Sequence, residues 1–116
     1  MHLVPMERAD QPTIDGHRVC QAIEAVGEPG HLDAWAARFA LLSDPHRLAM
    51  LVCIRSAGPI SVTDLALATG MSATAVSQAL RLLRVAGTVA GVRDGRVIRY
   101  ELTDETLDGL LALTAP

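Results

Sequence analysis

Apolar positions recur at helical spacing through most of this chain and switch to alternation only near its end. Over 13–26, Val19, Ile23 and Val26 fall on one stripe with Cys20 and Ala22 beside them, which predicts an amphipathic helix. Gly27-Glu28-Pro29-Gly30 breaks it. A second helix is predicted over about 31–42, with Leu32, Trp35 and Phe39 on one side. Ser43-Asp44-Pro45 ends it and starts a third, because Asp44 or Ser43 can cap and Pro45 suits the first helical position. The third helix, over about 45–56, carries Leu48, Leu51 and Val52 on one face and Met50, Cys53 and Ile54 on the other. A helix apolar on two sides belongs at the centre of a core.

Beyond Ala57-Gly58-Pro59, the stretch Ser61-Val62-Thr63-Asp64 has the form of a capping box and opens a short helix to about Thr69. Gly70-Met71-Ser72 is a tight turn, and Ser72 can cap the helix that follows. With Thr74 set at zero on a helical projection, Ser77, Gln78, Arg81 and Arg84 fall between about −80° and +40°, while Val76, Ala79, Leu80, Leu82 and Leu83 fill the opposite arc. Val85 alone interrupts the polar arc, at a last turn where a neighbouring element could cover it. Two short helices joined by a three-residue turn containing glycine are the signature of a helix-turn-helix. The second helix of such a unit enters the DNA major groove. Small residues at its start let the backbone approach. Ser72, Thr74, Ser77 and Gln78 can meet phosphates or base edges, and Arg81 and Arg84 can meet phosphates.

After Gly87 the period becomes two. Residues 88–93 and 96–102 read as strands joined by Asp94-Gly95, a two-residue loop that favours a hairpin. Ile98, Tyr100 and Leu102 share one face, Val97, Arg99 and Glu101 the other, and Arg93 and Arg96 flank the tip. This predicts a wing that offers arginines to the DNA backbone. A short helix over 104–113 closes the chain, with Leu107, Leu110 and Leu111 on one side. Residues 1–12, with two prolines and no periodicity, read as a flexible tail that includes His2, and 13–116 as a single domain for DNA binding and dimerisation. The expected fold class is mostly α with a small β-hairpin: a dimeric winged helix-turn-helix.

Charge sharpens this picture. The net charge of −3 argues against nucleic acid, but its distribution does not. Residues 71–100 hold five arginines against Asp94, while 101–116 hold four acids and no base. Every base is arginine, the better fork for phosphate and base edges. No apolar run approaches the roughly 18 residues of a membrane span, and the N-terminus lacks a secretory pattern, so a cytoplasmic location is expected. No Ser/His/Asp or Cys/His set sits at motif spacing and no phosphate loop is present, which argues against an enzyme. Two cysteines, Cys20 and Cys53, are too few for a disulfide framework.

Three blocks in order, ALLSDPHRLAML (40–51), SVTDLALATGMSATAVSQALRLLRVAGTV (61–89) and RDGRVIRYELTD (93–104), resemble the ArsR/SmtB family of winged-helix metal-responsive repressors. The resemblance covers about residues 35–107. It implies a homodimer that binds operator DNA and releases it when an inducer binds. The family commonly has His after the Ser-Gln of the recognition helix, where this chain has Ala79.

The family's common metal sites are not matched. Asp104 fits the start of the site on the C-terminal helix, but Thr106 stands where its first His belongs, and Ser61 and Thr63 replace a Cys-x-Cys found in other members. Some members join an N-terminal cysteine to one near the core helix, which would assign Cys20 and Cys53 here, with His17 one turn before Cys20 on the same face. Thiolate with imidazole suits Zn, Cd, Cu or similar soft ions, and the resemblance implies an inducer such as Cd, Pb, Zn, Ni or arsenite. The plainer alternative keeps Cys53 as a small buried apolar residue and His46 as a surface side chain. Further alternatives are a thiol-redox or non-sensing regulator, and a winged-helix protein-interaction module that binds no DNA.

Overall fold

The computed structural model describes residues 3–116; Met1 and His2, at the start of the expected tail, lie outside the described residues. The chain divides between Ala37 and Arg38 into two units.

The first unit contains a 3-10 turn at Met6–Arg8, helix α1 (Gly16–Val26) and the start of helix α2 (His31–Leu42). Helix α1 starts three residues later than its apolar pattern predicts. Asp15 takes an extended conformation and accepts a hydrogen bond from the Arg18 N–H at 3.1 Å, so the cap sets the boundary and leaves Thr13 and Ile14 outside. Val19, Cys20 and Ile23 are half-buried on one face, but no residue of α1 is fully buried.

The second unit is built on helix α3 (Pro45–Ala57). Asp44 accepts the Arg47 N–H at 2.9 Å and Pro45 takes the first turn, as its sequence predicts. The Arg47 guanidinium donates to the carbonyls of Leu41 (3.2 Å) and Ala40 (3.0 Å), which satisfies the last turn of α2. Met50, Leu51 and Ile54 of α3 are buried, and Leu48, Val52 and Cys53 are packed against the core. Leu65 of α4 (Val62–Thr69), Val76, Leu80 and Leu83 of α5 (Ala73–Val85), and Leu107 and Leu111 of α6 (Glu105–Leu111) complete it.

The predicted hairpin is present as β2 (Val89–Asp94) and β3 (Val97–Leu102), each displaced by one residue from its predicted start. A third strand, β1 (Ile60–Ser61), was not expected; it pairs antiparallel with β3, Ile60 opposite Tyr100 and Ser61 opposite Arg99, giving the order β1-β3-β2. Gly91 lies opposite Tyr100, where a Cβ would come within 3.0 Å of Ile98 Cγ2. The last helix is shorter than the predicted 104–113: Asp104 is its cap, accepting from the Leu107 N–H at 3.1 Å, and a 3-10 turn (Ala112–Thr114) follows Leu111. Arg38 and Arg55 tie this helix down through Asp104 (3.7 Å) and Asp108 (2.9 Å).

One expected core position of α5 is corrected: Leu82 is 46% exposed. Val85, in the polar arc, is 84% exposed, so no described element covers it. Ile98 is also exposed, because the hairpin runs past the edge of the core. Leu83→Ala is expected to lower the unfolding free energy by about 2–5 kcal/mol. Val85→Ala is expected to change it by no more than about 0.5 kcal/mol. Urea denaturation of both variants checks the orientation of α5.

Candidate nucleic-acid interface

The geometry of α4 and α5 starts with three local devices. Ser61 accepts the Asp64 N–H at 3.2 Å and starts α4. Gly70 ends it in the left-handed conformation, φ 74°, which a side chain would strain, and its N–H bonds the Ala66 carbonyl. Ser72 then accepts the Ala75 N–H at 3.1 Å and starts α5. The turn between the helices is therefore Gly70–Ser72, as the sequence predicts.

Burial fixes which face of α5 is free. Val76, Leu80 and Leu83 are buried, and Ser72, Ala73, Thr74, Ser77, Gln78, Arg81 and Arg84 are exposed. Ala73, Thr74, Ser77, Gln78 and Arg81 line one open hollow of about 410 Å3. Its lining is donor-rich and carries no acid. Ser72 is not part of its lining and has its oxygen engaged as the cap, and Arg84 lies one turn beyond Arg81. At the other end of α5, Gly87 turns the chain with φ 75°, and the buried Thr88 hydroxyl donates to the Leu83 carbonyl at 2.9 Å. This lock joins the helix to β2.

The hairpin tip presents Arg93 and Arg96, both exposed. Arg99 is different: its Nε lies 3.1 Å from Asp94 Oδ2, so it bridges the two strands. Among the described residues, Arg81, Arg84, Arg93 and Arg96 have no carboxylate partner.

The thiol candidates are placed as follows. Cys20 and Cys53 are both free and half-buried, Cys20 in the first unit and Cys53 in the second. His17 is exposed one turn before Cys20 on α1. Among the described residues no three His, Cys, Asp or Glu side chains gather where they could hold a metal ion. No helix among them is long and apolar enough to cross a membrane. Missing from the sequence-based reading is a second hollow beside α5 that includes His46, which the sequence marks only as a surface side chain.

The family profile "Bacterial regulatory protein, arsR family" matches residues 44–90. The chain is 47% identical over 76 residues to the HTH-type transcriptional regulator NmtR of Mycobacterium tuberculosis, covering 66% of this chain and 62% of that protein, so it spans less than two thirds of that relative. It is 34% identical to the transcriptional repressor SmtB homolog of Synechocystis, over 85% of this chain and 74% of the relative. Among solved structures, the AntR antimony-specific transcriptional repressor superposes with a TM-score of 0.62 at 28% identity, over 95% of this chain and 87% of that one. The homodimeric winged helix-turn-helix domain of Mb0332 from Mycobacterium bovis gives 0.62 at 33% identity, over 71% and 75%. The cadmium sensor CMTR from Mycobacterium tuberculosis gives 0.57 at 34% identity, over 68% and 82%.

Replacing the Ser72 hydroxyl removes the start signal of α5. Ser72→Ala is expected to lower stability by about 1 kcal/mol, and Ser72→Asp to retain it, as read from thermal unfolding of the two variants.

Proposed function

The chain belongs to the arsR family of bacterial regulatory proteins, and on that premise we propose that it is a homodimeric repressor that releases operator DNA when a soft metal or metalloid ion binds its cysteines. Its relatives are transcriptional regulators and not enzymes. The observation that carries the DNA reading is the free face of α5, where Thr74, Ser77, Gln78 and Arg81 surround one acid-free hollow opposite the buried Val76, Leu80 and Leu83. In this reading α5 enters the major groove. Gln78 faces base edges, Ser72, Thr74 and Ser77 face bases or phosphates, and Arg81 and Arg84 face phosphates. Arg93 and Arg96 hold the flanking backbone from the hairpin tip.

Two features support a homodimer. Helices α1 and α2 bury no residue within one chain, and Val26, Leu32 and Phe39 stay exposed on them. The Mb0332 domain, which shares the fold, is a homodimer. Two copies of the arginine-rich 71–100 segment would give one basic face on an acidic body. A cytoplasmic location fits such a regulator.

The effector reading rests on donor chemistry. Two free thiols and an imidazole match soft or borderline ions such as Cd, Pb, Zn, Ni or arsenite. AntR and CMTR, which share the fold, respond to antimony and cadmium by their names. Because a single chain gathers no set of three donors among the described residues, completion of the site falls to a second copy or to exogenous ligands. When bound, the ion would supply strong bonds to thiolate sulfur. Cys20 with His17 on α1, and Cys53 on α3, would hold it.

Fluorescence anisotropy with a duplex from the region upstream of the coding sequence tests both parts. Reduced protein is expected to bind, and Arg81→Ala to weaken binding across sequences while lowering the salt slope by about one. One of Cd(II), Zn(II), Ni(II), Pb(II) or arsenite is expected to release the DNA, and Cys20→Ser or Cys53→Ser to abolish that release. Binding unmoved by every ion but lost on oxidation would replace the metal reading with a thiol-redox one. Absence of salt-dependent binding to any duplex would leave a protein-interaction module.

A further inference from the structure

A second hollow, of about 440 Å3, opens on the flank of α5 next to the reading face. Gln78 lines both hollows. Its other walls are Met71, Ala75, Ala79 and Leu82 on one side and the first turn of α3 on the other. Three polar residues come from that turn: Asp44, His46 and Arg47. Two are committed inside the protein. The Asp44 carboxylate accepts the Arg47 N–H, and the Arg47 guanidinium donates to the Leu41 and Ala40 carbonyls. His46 is exposed and makes no side-chain hydrogen bond or ion pair among the described residues. The residues contributed by α5 and the preceding turn carry no charge. Asp44 and Arg47 are opposite charges, and His46 is the polar side chain of this turn left uncommitted among the described residues.

The groove geometry says what faces it. The major groove is about 12 Å wide, and a helix with its side chains is about 10–12 Å across. A helix seated there has phosphates along both flanks. With α5 seated by Thr74, Ser77, Gln78 and Arg81, the flank carrying Ala75, Gln78 and Leu82 turns toward one of those strands, and His46 stands on that flank. We infer that His46 holds an operator phosphate beside α5 and makes DNA affinity rise as pH falls, a proton response separate from the thiols. The inference rests on the DNA-binding reading above. Its physical basis is that histidine side chains change charge between about pH 5 and 8.

The test uses the full chain and duplexes recovered from a random library by the wild-type protein. Affinity is measured by anisotropy from pH 5.5 to 8.0 at fixed ionic strength, and against salt at pH 5.5, for wild type, His46→Gln and His46→Arg. Wild-type affinity is expected to rise as pH falls. At pH 5.5, His46→Gln is expected to bind about two- to fivefold more weakly, the worth of one exposed charge contact. Its salt slope should be shallower by about one. His46→Arg should bind tightly at every pH. Because His2, His17 and His31 are present in all three proteins, the difference between profiles isolates His46. A His46→Gln profile that keeps the wild-type pH dependence and salt slope overturns the inference while leaving DNA binding intact. Failure of the wild-type protein to recover any duplex overturns the DNA reading and this inference with it.

Discussion

Burial of α3 on two sides is the constraint from which the arrangement of residues 38–116 follows. Met50, Leu51 and Ile54 have almost no contact with solvent, and each must be enclosed by side chains from elsewhere. Leu65, Val76, Leu80, Leu83, Leu107 and Leu111 enclose them. Helix α5 therefore turns its Val76–Leu80–Leu83 stripe inward. Its opposite stripe is outward by the geometry of a helix, so the side chains suited to DNA are presented as a consequence of packing. The absence of large aromatic cores in this chain makes the fit depend on branched aliphatic residues, with Tyr100 the one ring buried in the second unit.

Beyond Arg8, in the 3-10 turn, the arginines divide by what holds them. Arg18, Arg38, Arg55 and Arg99 lie against carboxylates, and Arg47 against two helix-terminal carbonyls. These stabilise boundaries: a cap, the last helix, the hairpin. Arg81, Arg84, Arg93 and Arg96 are placed on the exposed face of α5 and at the hairpin tip, without such partners among the described residues. An acidic chain can thus carry a local surface suited to polyanions. The sign of the whole molecule is a poor guide to the sign of one face.

Periodicity made the helices legible because each has a half-buried stripe, and the caps Asp44, Ser61 and Ser72 were legible because serine and aspartate before an apolar run have few other roles. Boundaries moved where a cap competed with the apolar pattern, as at Asp15 and Asp104. Strand β1 escaped notice because two residues carry no period; only the partner Tyr100–Arg99 stretch defines it. Leu82 was misread because a projection gives direction but not what stands opposite. The exposed polar face of α5 was readable from local pattern. Whether Cys20 and Cys53 meet was not, since residues far apart in sequence are joined by tertiary and quaternary placement that no local spacing encodes.

The short pairing of β1 with β3 has a mechanical side. Ser61 is at once a strand residue bonded into the hairpin's sheet and the cap that starts α4. The Thr103 hydroxyl and N–H bond to the carbonyls of Gly87 and Thr88, closing the other end of the hairpin onto the exit of α5. The sheet thereby joins the start of α4, through Ser61, to the exit of α5, through Thr103. A change in β3 would reach the beginning of one helix and the end of the next, although none of its residues belongs to either.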